Sequence, residues 1–128
     1  MTLHCTRYRL RNAMNAGVLA LCLVLSIPLA HAAEVTYALR IENGHVPADM
    51  QLIRVAQGDV VTLQWTADKS SIVHLHGYDI EKRVVPGAAT ELKFTARATG
   101  RFPVHLHGGA AEAHGHEDAL VTIEVYPR

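Results

Sequence analysis

Two short stretches of this sequence carry side chains arranged for chemistry: His74-Leu75-His76-Gly77 and His105-Leu106-His107-Gly108. Each places two imidazoles at i and i+2. On an extended strand these positions share one face, about 6.5–7 Å apart along the backbone. A third pair, His114-Gly115-His116, follows the second. Imidazole is the commonest metal ligand near neutral pH and binds zinc or copper at about 2.0–2.1 Å. Neutral nitrogen donors without thiolate suit Cu(II), Zn(II) or Ni(II), and are less suited to Cu(I), which favours sulfur. Six of the seven histidines after residue 32 fall between residues 74 and 116. The expected metal ligands are His74, His76, His105 and His107, with His114 and His116 on a flap that completes or guards the site. Glu112, Glu117 and Asp118 flank the last pair and could add an oxygen ligand or a hydrogen-bond partner.

Plainer readings exist for each group. His45 sits in turn chemistry and reads as an ordinary surface residue. Gly-His-Gly-His in a small, polar stretch could be solvated decoration. A pH-responsive surface would also use histidines, but it does not require the i, i+2 pairing seen twice.

The elements that must position these groups begin after a leader. Arg7, Arg9 and Arg11 form a basic start, and Ala16 to Ala30 is an apolar run of 15 residues ending in Ala30-His31-Ala32. This is the pattern of a secretory signal peptide over residues 1–32, cleaved before Ala33. A membrane anchor would need about 20 apolar residues, and no later run is that long, so no membrane span is expected after cleavage. No twin-arginine pair is present, which favours the general secretory route into a periplasm or the outside medium. The expected mature chain is one domain of residues 33–128.

That domain carries nine Lys and Arg against twelve Asp and Glu, a net charge of −3 with histidines neutral. A mildly acidic surface argues against nucleic acid and is compatible with a cation. Both cysteines, Cys5 and Cys22, lie in the leader, so the mature chain has no thiol and no disulfide. It must be held by sheet packing, to which a bound metal would add.

Val35 to Ile41, Val60 to Thr66, Thr90 to Ala96 and Leu120 to Tyr126 alternate apolar and polar residues, as half-buried strands do. Gln51 to Val55, Ser71 to His76 and Phe102 to His107 add three more. Turn residues separate them, Gly77 to Gly87 reads as a longer irregular connection, and Ala110 to Ala113 is a weak helical candidate. About seven strands at this spacing predict an all-β, antiparallel β-sandwich. Phase then aims the histidines. Phe102, Val104 and Leu106 suit the core, which turns His105 and His107 outward; Val73 and Leu75 suit it likewise and turn His74 and His76 outward. The site is expected on the outer side or rim of the sandwich, where a partner protein or a second copy could reach it.

Val55-Ala-Gln-Gly58-Asp59-Val-Val61-Thr-Leu63, followed by the histidine strand, resembles a cupredoxin over roughly residues 35 to 126. The resemblance implies an all-β Greek-key β-sandwich with a metal site at one end. Blue-copper members use two histidines, a cysteine and usually a methionine. Leu106 stands where that cysteine is expected, and the only methionine after the leader is Met50, so a type 1 site is excluded. The segments His74-Leu-His76-Gly77 and Gly100-Arg-Phe102-Pro-Val-His105-Leu-His107 are similar to the H-x-H-G and G-x-[FY]-x-x-H-x-H motifs of multicopper oxidases. That similarity implies copper ligation by the four strand histidines. Those enzymes pool eight histidines from two domains; one copy of this chain offers four. The chain is also similar to single-domain exported cupredoxin-like proteins, including part of an iron-transport component.

The expected function is an exported copper-binding protein for storage, delivery or resistance. The rivals are a copper oxidase, a dismutase-like enzyme, or a docking module of an iron- or copper-transport system. A dismutase is disfavoured because residues 77 to 104 contain no histidine to form a zinc loop.

Overall fold

The computed structural model describes residues 31–108 and 118–128. The strands are β1 (Glu34–Ile41), β2 (Leu52–Ala56), β3 (Val60–Ala67), β4 (Ser71–Leu75), β5 (Ile80–Val84), β6 (Thr90–Thr95), β7 (Gly100–His107) and β8 (Val121–Tyr126), with a single 3₁₀ turn at Ala48–Met50. They form a three-stranded sheet in the order β1-β3-β6 and a five-stranded sheet in the order β2-β8-β7-β4-β5. The expected sandwich is present.

Two details differ from the sequence reading. The stretch read as an irregular connection contains β5, so the described residues form eight strands. Ile80-Glu-Lys-Arg-Val84 carries three adjacent charged residues and lacks a clean alternation, because it lies at the edge of its sheet. The sheets are also not wholly antiparallel: β1 pairs with β3 in parallel, and β2 with β8 likewise. The chain passes from β1 to the other sheet for β2 and returns for β3. Each passage reverses its direction, so β3 re-enters its sheet running as β1 does. The helical candidate at Ala110 to Ala113 lies outside the described residues.

The core forms where the inward faces of the two sheets meet. Val61, Leu63, Trp65 and Leu92 are fully buried from the smaller sheet; Val73, Leu75, Val84, Val104, Val121 and Ile123 are fully buried from the larger. Burial of each such side chain stabilises by about 1.5–3 kcal/mol. Between sheets, Asp59 fastens the turn before β3. Its carboxylate accepts the Ala56 N–H at 2.9 Å and the Ala33 N–H at 3.0 Å, and it meets the Arg128 guanidinium. Burial pushes this carboxyl upward in pKa, but the two backbone N–H groups and Arg128 outweigh it and hold the group below the usual aspartate value. The stability this contributes is fully present above the unfolded value of about 3.9 and is lost as pH falls through the lower folded value. Asp59→Asn is therefore expected to cost about 1–2 kcal/mol at neutral pH and to flatten the acid limb of a urea-unfolding series below pH 4. An unchanged acid limb would remove Asp59 from this role.

Candidate metal centre

The two histidine segments become neighbours because β4 and β7 pair antiparallel inside the larger sheet. In that register His74 faces His105 and Ile72 faces His107. Val73, Leu75 and Val104 turn inward and are fully buried. The alternation of a strand then forces His74, His105 and His107 to the outer face, as their phase predicted. Phe102 and Leu106 are partly buried against the core.

His76 lies one residue past β4, at the start of the turn into β5. Its N–H donates to the Pro103 carbonyl at 3.0 Å, which extends the β4–β7 ladder by one rung. Gly77 follows at φ 84°, in the left-handed region open to glycine. A Cβ there would stand 2.6 Å from Phe102 Cδ1 and 3.0 Å from its Cε1. The glycine of the first motif and the phenylalanine of the second are thus the two halves of one contact. Beneath it Tyr78 packs between Phe102 and Phe94, with ring centroids 4.9 and 4.7 Å away.

The four imidazoles form one patch. Ring centroids are 4.1 Å apart for His74 and His76, 4.6 Å for His76 and His105, 5.7 Å for His74 and His107, and 6.5 Å for His76 and His107. One donor nitrogen from each of His74, His76 and His107 lies within 4.8 Å of the other two. Two nitrogens bound to one ion at about 2.0–2.1 Å can be at most about 4.2 Å apart, a gap that modest ring rotations close. His105 lies against His76 but is outside that group of three. His74, His76 and His105 are half-buried and His107 is exposed, so the patch opens to the surface.

Nε2 of His76 is buried and has no hydrogen-bond partner among the described residues. Such an atom is costly unless something satisfies it. Burial of the ring, followed by the charges that His74, His105 and His107 carry when protonated, pushes the pKa of His76 below the usual histidine value, against the opposing pull of Asp79. The neutral ring keeps a lone pair available. An unpartnered nitrogen amid converging imidazoles, with no thiol near, fits a borderline metal ion held by nitrogen.

The carboxylates beside the patch are not the ones expected. Asp79 Oδ1 lies 3.6 Å from His74 Nε2, and Glu81 Oε1 lies 3.8 Å from His74 Nδ1. Whichever nitrogen of His74 faces an ion, the other faces a carboxylate, the arrangement that orients metal-binding histidines. Hairpin register could have found Glu81, because β4 and β5 pair His74 with Glu81; the missed β5 hid it. Asp79 occupies the turn at φ 56°. Of the acidic residues expected to serve, Asp118 is exposed and takes no part in the group of three, while Glu112 and Glu117 lie outside the described residues, as do His114 and His116. His45 is exposed in its turn, as expected.

No protein-family model matches the sequence, and no curated protein is similar to it by sequence. Solved structures resemble it in fold. A multi-copper oxidase from Pseudomonas thermotolerans superposes with a TM-score of 0.59 at 21% identity, over 77% of this chain and 31% of that one. Copper nitrite reductase from Nitrosomonas europaea gives 0.58 at 18% identity, over 74% and 42%. The periplasmic domain of cytochrome oxidase subunit II from Bradyrhizobium japonicum gives 0.58 at 17% identity, over 76% and 87%. The chain thus spans less than half the length of the oxidase and the reductase. At these identities the likeness is one of fold.

Proposed function

The chain is a cupredoxin-like β-sandwich, and from that premise we propose that it is an exported protein that binds copper as Cu(II) for storage, delivery or resistance. The observation that carries this reading is the convergence of His74, His76 and His107 donor nitrogens within 4.8 Å of one another. His105 stands beside His76 as the fourth ligand, and His114 and His116 are the proposed flap over the ion. The ion would supply a positive charge that the four nitrogens satisfy. The protein's own part is to hold these rings fixed and close. Zn(II) is the alternative guest, since it takes the same donors. Export follows from the leader and its cleavage before Ala33.

Titration of the mature domain with Cu(II), followed by electron paramagnetic resonance, tests this. One ion per chain with three or four coupled nitrogens is expected. Absence of stoichiometric binding, or a signal from a single nitrogen, would refute it. Asp79→Asn and Glu81→Gln are expected to weaken Cu(II) binding by up to about tenfold, the lower end of what partners of a ligand contribute. Both carboxylates are largely exposed, at 100% and 61%. Isothermal titration resolves that change, and binding unaltered in both variants would show that His74 is oriented by packing alone.

A further inference from the structure

Asp59 is only 5% exposed, yet it is an ionised group, and its partners are unusual. One oxygen accepts the Ala56 N–H. The other accepts the Ala33 N–H at 3.0 Å and meets the Arg128 guanidinium. Ala33 is gripped on its carbonyl side too, where it accepts the Val60 N–H at 2.8 Å. Residues 31 to 33 are all exposed, and β1 begins at Glu34. Ala33 is the residue just before that strand, held at its N–H by Asp59 and at its carbonyl by Val60. It also directly follows the Ala30-His31-Ala32 cleavage pattern.

We propose that Asp59 is a binding site for the chain's own α-ammonium, created when the leader is removed. A signal peptidase adds water across the Ala32–Ala33 bond: Ala32 leaves with a carboxylate, and the Ala33 nitrogen keeps the electron pair and takes up protons. An α-amino group has a pKa of about 7.7–8.0 and is mostly charged at neutral pH. In the precursor only the acceptor of the N–H···O⁻ contact is ionised; after cleavage donor and acceptor both are, so the hydrogen bond becomes an ion pair as well, against a carboxylate that is itself buried. The contact between Arg128 and the His31 carbonyl departs with the leader, which leaves that guanidinium to Asp59 and the Gln57 carbonyl. Removal of the leader thus tightens the fold at the start of β1. This inference is independent of the metal and shares with the functional reading only the cleavage position.

Five forms of the metal-free mature domain test it: a chain beginning at Ala33 with a free amine, the same chain N-acetylated, a chain beginning at Ala32, and the first two carrying Asp59→Asn. Acetylation keeps the N–H but removes the charge; the Ala32 start keeps a charge but displaces it. The free Ala33 form is expected to melt about 4–8 °C above both the acetylated and the Ala32 forms, and acetylation is expected to change little in Asp59→Asn. Equal midpoints in the wild-type forms would overturn the proposal, as would an undiminished acetylation effect in Asp59→Asn. The wild-type comparison decides alone should Asp59→Asn not fold. Mass spectrometry of the exported protein must give Ala33 as the first residue; any other start also overturns it.

Discussion

His76→Ala is expected to lower Cu(II) affinity by more than about a hundredfold while leaving the metal-free fold nearly as stable as before. Loss of a group that merely supports a metal ligand costs about 10–100-fold, so loss of a central ligand must cost more. His76 is central: its ring is in contact range of His74, His105 and His107. Without it, His74 and His107 remain 5.7 Å apart between centroids, on different strands. The fold should tolerate the change because the buried Nε2 makes no hydrogen bond that could be lost. His45→Ala, in an exposed turn, is the control and should leave affinity unchanged. A His76→Ala protein that binds Cu(II) within threefold of wild type would displace the site from this patch.

The second large effect is structural. Gly77→Val should destabilise the domain by about 2–5 kcal/mol, the sum of roughly 1–2 for a side chain in the left-handed region and 1–3 for overpacking. Gly77 holds φ 84° with the Phe102 ring 2.6 Å from where Cβ would stand. Phe102 can yield only by pressing on Tyr78, which is wedged against Phe94. The strain therefore passes to the turn, and the His76 N–H is drawn off the Pro103 carbonyl. Metal affinity should fall together with stability. Gly87 separates the two causes: it has φ 81° but nothing within 4 Å of its Cβ position. Chemical denaturation of Gly77→Ala and Gly87→Ala should show the former more destabilised, and the excess is the Phe102 clash. Equal losses would mean that the ring does not confine the turn.

The origin of the patch was written locally. Period-two alternation around Val73, Leu75 and Val104 sends the neighbouring histidines outward whatever the strands' partners are. No cysteine follows Cys22, so the sandwich strands offer no thiolate for a blue-copper site. Local pattern was silent where pairing decides. Ile80–Val84 lacks alternation and becomes a strand through its partner β4. That pairing brings Glu81 to His74, and the tight turn brings Asp79. Asp79 and Glu81 stand beside the first histidine pair in space, while Glu112 and Glu117, which flank the last pair in sequence, lie outside the described residues.

From composition and spacing alone came the class of the domain, the outward face of the imidazoles and the nitrogen-only donor set, because these depend on residue type and on the two-residue repeat of a strand. The β4–β7 register, which sets His74 opposite His105 and gathers His74, His76 and His107 within one ion's reach, belongs to the tertiary structure. So does the docking of Ala33 on Asp59 across 26 positions. Contacts between distant segments are chosen by how the whole core packs, and no stretch of chain carries that information by itself.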